Sequence, residues 1–182
     1  MIRVIFKSAA AVAMSLFVAV SANAALLDGK TIGYEYLFPT VNDSNPWYGA
    51  GTYVVGAGLE ANDGSIATDF SDTNVTIDYN FTAMWCGCGQ SFNGVHYFDA
   101  LGTIADFTSV TLNGLTNLVG LSQANISFDA NNIWIDWQNL SFDTNTLVSI
   151  DIAGGSSNVP EPMPVVLFGL GLLGLAAARR RA

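Results

Sequence analysis

Positive charge is what this sequence has least of. Of its 182 residues, six are Lys or Arg. Five of those six, Arg3, Lys7, Arg179, Arg180 and Arg181, lie in the two terminal segments. Between Ala25 and Pro160, Lys30 stands alone against fourteen acidic residues, a net charge of −13. Phosphate backbones are held by clusters of Lys and Arg, so the composition argues against nucleic acid, and against an anionic lipid surface for the same reason. It suits solubility, divalent cations or a polar uncharged partner such as a glycan.

Catalytic side chains are nearly as scarce. His96 is the single histidine. A Ser-His-Asp site needs a histidine between nucleophile and acid, and no G-x-S-x-G motif or other marked nucleophile accompanies it. Glycan hydrolysis needs two carboxyl groups at a set separation. Glu35 and Glu60 are the only glutamates of the central region, and its aspartates fall mostly at turns or outward strand positions. The expectation is a protein that is not an enzyme, with a secreted glycan hydrolase as the third-ranked reading.

Cysteine is limited to Cys86 and Cys88, in Trp85-Cys86-Gly87-Cys88-Gly89-Gln90. In an oxidising compartment the two are expected to pair. Their one-residue spacing closes a small ring, for which Gly87 and Gly89 supply backbone freedom. Metal binding would need further soft ligands beyond His96. A redox role would more usually carry C-x-x-C.

Helical periodicity is also missing from the middle of the chain. Short runs rich in Val, Ile, Thr and aromatics alternate with Gly, Asn, Asp and Ser. Val75, Ile77, Tyr79 and Phe81 alternate with Thr76, Asp78 and Asn80. Tyr34, Tyr36 and Phe38 alternate in the same way, as do Tyr53, Val55, Ala57 and Leu59. Further strands are expected at 95–101, 107–112 and 146–152. Ile126 to Trp137 reads as a hairpin about a two-residue Asn131-Asn132 turn, pairing Ala130 with Ile133, Phe128 with Ile135 and Ile126 with Trp137. Seven to nine such strands predict an all-β fold, an antiparallel β-sandwich or jelly roll over residues 25–153.

Two kinds of candidate contact follow. Asp and Asn gather at turns: Asn42 to Asn45, Asn62 to Ser65, Asp69 with Asp72, and Asp129 to Asn132. Hard oxygen ligands from turns are what Ca²⁺ takes, and turns also prefer these residues for their own reasons. No cluster matches an EF-hand. No cofactor is expected, with Ca²⁺ as the one ion the composition admits and its ligands unassigned. The second kind is aromatic. Trp134 falls on the polar face of its hairpin, and Trp47-Tyr48 follows Pro46 in a loop. Aromatics set among Asp and Asn are how sugar-binding β-sandwiches stack on pyranose rings. Trp134, Trp47 and Tyr48 are therefore the candidate glycan contacts of a carbohydrate-binding module, with Ca²⁺ as its conceivable companion.

The two ends read as addresses. Arg3 and Lys7 precede an apolar stretch from Ala9 to Val20, and Ala22-Asn23-Ala24 supplies small residues before Ala25. Residues 1–24 are thus expected to form a signal peptide helix, threaded by the Sec translocon and cut by signal peptidase after Ala24. At the other end, residues 154–158 form a flexible Gly/Ser linker by composition. Val159-Pro160-Glu161-Pro162-Met163-Pro164 is held extended by its three prolines. Residues 165–178 form an apolar helix that barely crosses a bilayer core. Arg179-Arg180-Arg181 stops it on the cytoplasmic side. Gly169 to Gly174 spells G-x-G-x-x-G, but the chain closes eight residues later with no acid where a nucleotide site needs one, so these glycines read as helix-packing residues.

The order Val159-Pro160-Glu161-Pro162, apolar helix, arginine-rich end resembles the PEP-CTERM sorting signal of Gram-negative bacteria over residues 159–182. The resemblance implies an exosortase as partner, a transient inner-membrane stage, cleavage near Pro-Glu-Pro and delivery to the cell surface or extracellular matrix. It also implies the company of exopolysaccharide and biofilm components, and with it a structural or adhesive role.

Overall fold

The computed structural model describes residues 25–56, 58–62 and 64–155. The signal peptide with Ala22 and Ala24, and the tail with Val159 to Pro162, the helix at 165–178 and Arg179 to Arg181, lie outside the described residues; Ala25 lies within them. Among the described residues no helix is long and apolar enough to cross a membrane.

Among the described residues twelve strands follow one another: β1 (Thr31–Leu37), β2 (Ala50–Val54), β3 (Ala61–Asn62), β4 (Ile66–Ser71), β5 (Asn74–Tyr79), β6 (Ala83–Met84), β7 (Gly94–Asp99), β8 (Phe107–Leu112), β9 (Ile126–Phe128), β10 (Asn132–Asp136), β11 (Ser141–Phe142) and β12 (Leu147–Gly154). Single 3₁₀ turns occupy Pro46–Tyr48 and Gln123–Asn125. A first five-stranded sheet runs β2-β1-β7-β10-β9 and a second runs β3-β4-β5-β12-β8, with β6 and β11 pairing apart from both. Neighbouring strands are antiparallel throughout.

The alternating pattern decides which residues go inward, because successive side chains of a strand point to opposite faces. In β5, Val75, Ile77 and Tyr79 are buried while Asp78 is exposed. The inward residues of both sheets form a single hydrophobic cluster. Phe70 of β4 meets Tyr97 of β7 edge-on at 5.0 Å, and the Tyr97 hydroxyl lies 3.1 Å from Thr68 Oγ1. Tyr79 of β5 meets Trp137, just beyond β10, at 6.2 Å. The buried Tyr36 hydroxyl donates to Asn93 Oδ1 at 2.5 Å. Burial, and then the neighbouring Tyr48, hold the Tyr36 phenol far above its ordinary ionisation range.

The hairpin keeps its expected faces but not its expected register. Phe128 pairs with Ile133 and Ile126 with Ile135, a shift of two residues. The turn is longer than Asn131-Asn132 because Asp129 organises it. Its Oδ1 accepts from the Asn131 backbone N–H and the Asn132 side-chain amide, both at 2.8 Å, and its own N–H donates to the Asn132 carbonyl at 3.0 Å. The Ala130 and Asn131 carbonyls accept from the N–H groups of Phe107 and Asp99, both at 2.9 Å, which ties the turn to both sheets. A shift of two leaves every side chain on its original face. Two other runs stop early. Phe38 lies outside β1, where Pro39 removes a ladder donor, and the Tyr53 run ends at Val54. In the other direction, β12 continues through Gly154, which pairs with Phe107, and the Gly155 N–H donates to the Asp106 carbonyl at 2.8 Å. The glycine-rich linker therefore begins inside the sheet.

Strand directions give the domain two poles. At the first lie the start of β1, the end of β7 and the end of β12. Leu26 packs against Gly154 there, and the Leu27 N–H donates to Asp72 Oδ1 at 3.0 Å. At the second lie Trp47, the Cys86–Cys88 loop, β11 and the start of β12. The described domain thus begins and ends at one pole.

Candidate functional site

The outward face of the first sheet carries a connected array of polar and aromatic side chains. Register places Glu35 of β1, His96 of β7, Trp134 of β10 and Ser127 of β9 in one cross-strand row. All four occupy outward positions because Tyr34, Tyr36, Val95, Tyr97, Ile133 and Ile135 take the inward ones.

His96 is the centre of the row. Nδ1 lies 2.8 Å from Glu35 Oε1, and Nε2 lies 2.9 Å from Asn132 Oδ1. The Asn132 amide nitrogen is already spent on Asp129 Oδ1, which leaves its oxygen toward the ring. The ring is stacked on Trp134 at 4.9 Å with an interplanar angle of 3°, and on Phe98 at 5.1 Å. Phe98 in turn lies over Gly33, where a β-carbon would enter the Phe98 ring. The Asp129 carboxyl is held below its ordinary range, first by the Asn131 N–H and next by the Asn132 amide.

Chemically, the row is a brace. Both ring nitrogens of His96 are engaged by hydrogen bonds across the row. The Glu35–His96 contact is partly open to solvent and so contributes ~0–1 kcal/mol, and the ring stack contributes ~0.5–1.5 kcal/mol. His96→Ala is expected to destabilise the domain by ~1–2 kcal/mol on that basis. The urea unfolding midpoint measures it, and an unchanged midpoint would show that the brace is absent in solution.

The expected glycan contacts do not share one surface. Trp134 is half-buried, with one indole face against His96 and the short Ser127 as its cross-strand neighbour on the other side. Trp47 is 90% exposed. Tyr48 is half-buried against Tyr36 at 4.5 Å and Trp85 at 5.4 Å, and its carbonyl accepts from the Tyr34 hydroxyl at 3.0 Å. It belongs to the rim of the core.

Cys86 and Cys88 are joined by a disulfide. The loop is anchored around it: the Cys86 carbonyl accepts from the Gln90 amide and, at 3.0 Å, from Asn93 Nδ2. Gly87 faces the Asn139 side chain, where a β-carbon would collide. Among the described residues no three His, Cys, Asp or Glu side chains are grouped to hold a metal ion.

Sequence reading missed the partners of His96. Glu35 and Asn132 both stand at outward strand positions, and that parity was the available signal. It missed as well a recess at the second pole, of about 440 Å³, built from the β11–β12 turn, Thr82 and the loop before Gln123.

No curated protein and no solved structure matches this chain. The family model of the PEP-CTERM protein-sorting motif does match, over residues 158–181. The chain carries a PEP-CTERM protein-sorting motif, which marks it as an exported protein recognised by an exosortase.

Proposed function

We propose that the β domain is the cargo and the tail its address: a non-enzymatic structural or adhesive component of the cell surface or extracellular matrix. The observation that carries the reading is the sorting motif at 158–181, three residues beyond the last described position of the domain. In this reading the signal peptide is removed after Ala24. The helix at 165–178 and Arg179 to Arg181 hold the chain briefly in the inner membrane, and cleavage near Pro160-Glu161-Pro162 frees it. The two sheets over one core are read as a sandwich. The Glu35–His96 contact and the His96–Trp134 stack are read as a brace, which supports a non-enzymatic role. Carbohydrate contact through Trp47 is the second reading, favoured by the near-complete exposure of that indole.

Processing provides the test. Cells producing the chain with and without an active exosortase are fractionated, and the extracellular form is weighed by mass spectrometry. The expected extracellular species begins at Ala25 and ends within the Pro-Glu-Pro segment, and it disappears without the exosortase. An intact tail on the extracellular protein would overturn the reading.

A further inference from the structure

The recess at the second pole has the chemistry of a binding site. Its volume, about 440 Å³, lies within the ~300–1,000 Å³ of small-molecule sites. The floor is apolar. Phe142 lies beneath it, 3% exposed and stacked on Tyr79 at 4.3 Å and Trp85 at 5.1 Å, with Phe81 edge-on at 5.0 Å. Val119, 85% exposed, adds an apolar wall. The rim is polar and includes Thr82, Ser141, Asp143 and Asn145.

That rim is pre-organised. Asp143 Oδ1 accepts from the Asn145 N–H at 2.8 Å and from the Thr146 hydroxyl at 3.1 Å. The Thr146 hydroxyl oxygen accepts from the Asp143 N–H at 2.9 Å. The Asn117 side chain ties the turn down, donating to the Asn145 carbonyl at 2.9 Å and accepting from the Leu147 N–H at 2.7 Å. Both side-chain bonds of Asp143 fall on Oδ1, which leaves Oδ2 for an outside donor. The Thr82 and Ser141 hydroxyls take part in no hydrogen bond of the described residues. The Asn145 N–H, and after it the Thr146 hydroxyl, hold the Asp143 carboxyl below its ordinary range.

An apolar floor, free hydroxyls and an ionised acceptor on the rim match a sugar ring, which has an apolar C–H face and hydroxyl donors and acceptors around its edge. A carboxylate in a domain of net charge −13 selects against anionic ligands. Position favours the same conclusion. Both ends of the described domain, Ala25 and Gly155, leave from the first pole, so a chain tethered through its tail presents the second pole outward. We infer that the recess around Phe142, Asp143 and Val119 binds a neutral saccharide unit of a polymer met outside the cell. The inference rests on the exported, sorted reading above for its setting, and on the recess alone for its chemistry.

The test is affinity electrophoresis of the full chain in mild detergent through gels containing dextran, mannan, laminarin or anionic alginate. Retardation by at least one neutral polymer is expected. Val119→Trp and Thr82→Trp, both at exposed positions and so compatible with folding, are each expected to weaken it about tenfold, equivalent to ~1.4 kcal/mol. Leu101→Trp, 66% exposed at the opposite pole, is expected to leave it unchanged. Absence of retardation by any neutral polymer overturns the inference. So does retardation that both recess variants retain, retardation strongest with alginate, or loss on Trp134→Ala or Trp47→Ala instead. Binding is read on purified protein and sorting on fractionated cells, so failure of one is distinguishable from failure of the other.

Discussion

Trp137→Ala is expected to cost the domain ~3–5 kcal/mol, the range for removing a buried tryptophan. Typical domains have ~5–15 kcal/mol in all, so this variant should be unfolded or close to it at 37 °C. Trp137 has no exposed surface and sits in the cluster shared by both sheets. Its backbone N–H donates to the Asn93 carbonyl at 2.8 Å, and its carbonyl accepts from Leu140 at 3.0 Å. Those bonds fix the chain as it leaves β10. The indole N–H itself has no acceptor among the described residues. A buried unsatisfied donor costs ~1–3 kcal/mol, so Trp137→Phe removes a liability while retaining most of the apolar contact. The expected order of urea midpoints is wild type and Trp137→Phe well above Trp137→Ala. Trp134→Ala, on the half-buried outer face, should fall between them. The comparison also tests the sheet, because a one-residue slip of β10 would exchange the roles of the two tryptophans. Equal stability of Trp137→Ala and Trp134→Ala would contradict the observed register.

How much of this was legible in the sequence depends on how local each feature is. β5 follows from alternation alone, and β8 occupies the expected 107–112. Alternation also put Trp134 on the outer face. It could not put the hairpin in register, because a shift of two conserves every face, and the deciding hydrogen bonds come from one aspartate side chain and from two other strands. The His96 brace is less legible still. Glu35, His96 and Asn132 belong to three strands that become neighbours only when β7 is inserted between β1 and β10. The recess at the second pole draws on three separate stretches of chain, and no periodicity joins Thr82, Val119 and Asp143. Short turn motifs such as Asp143-Thr144-Asn145-Thr146 are visible in sequence, but which turns open onto a cavity is a property of the packed domain. The sorting tail was the most legible feature because its signal is linear: prolines, apolar residues and arginines in fixed order need no tertiary partner to be recognised.

That difference in kind bears on the aromatic residues. Tyr79, Trp85 and Trp137 each bury a polar atom with no hydrogen-bond partner among the described residues. Burial, and then the neighbouring Tyr97, drive the Tyr79 phenol well above its ordinary range. Three such groups in the core are a cost that hydrophobic contact must offset. Tyr79 and Trp85 stack on Phe142 and Trp137 meets Tyr79 at 6.2 Å, so two of the three border the floor of the recess at the second pole.

Truncation after Ser157 is expected to separate the two halves of the molecule cleanly. The second sheet closes on β12, where Gly154 pairs with Phe107 and the Gly155 N–H reaches the Asp106 carbonyl. The cut therefore removes the sorting motif and leaves every described hydrogen bond in place. The urea midpoint should correspond to a change within ~0.5 kcal/mol, the scale of substitutions that touch no structural feature. Export should persist, since the N-terminal segment is intact. Delivery should not: the truncated domain should remain where export leaves it, and an exosortase should make no difference to its distribution. Cell fractionation with the unfolding curve reads both halves of the expectation. A truncated chain that still reached the surface in an exosortase-dependent manner would place the address inside the β domain. A truncated chain that lost its cooperative transition would make the tail part of the fold. The unchanged midpoint together with lost delivery is the outcome that a domain closed at Gly155 and a motif confined to 158–181 require.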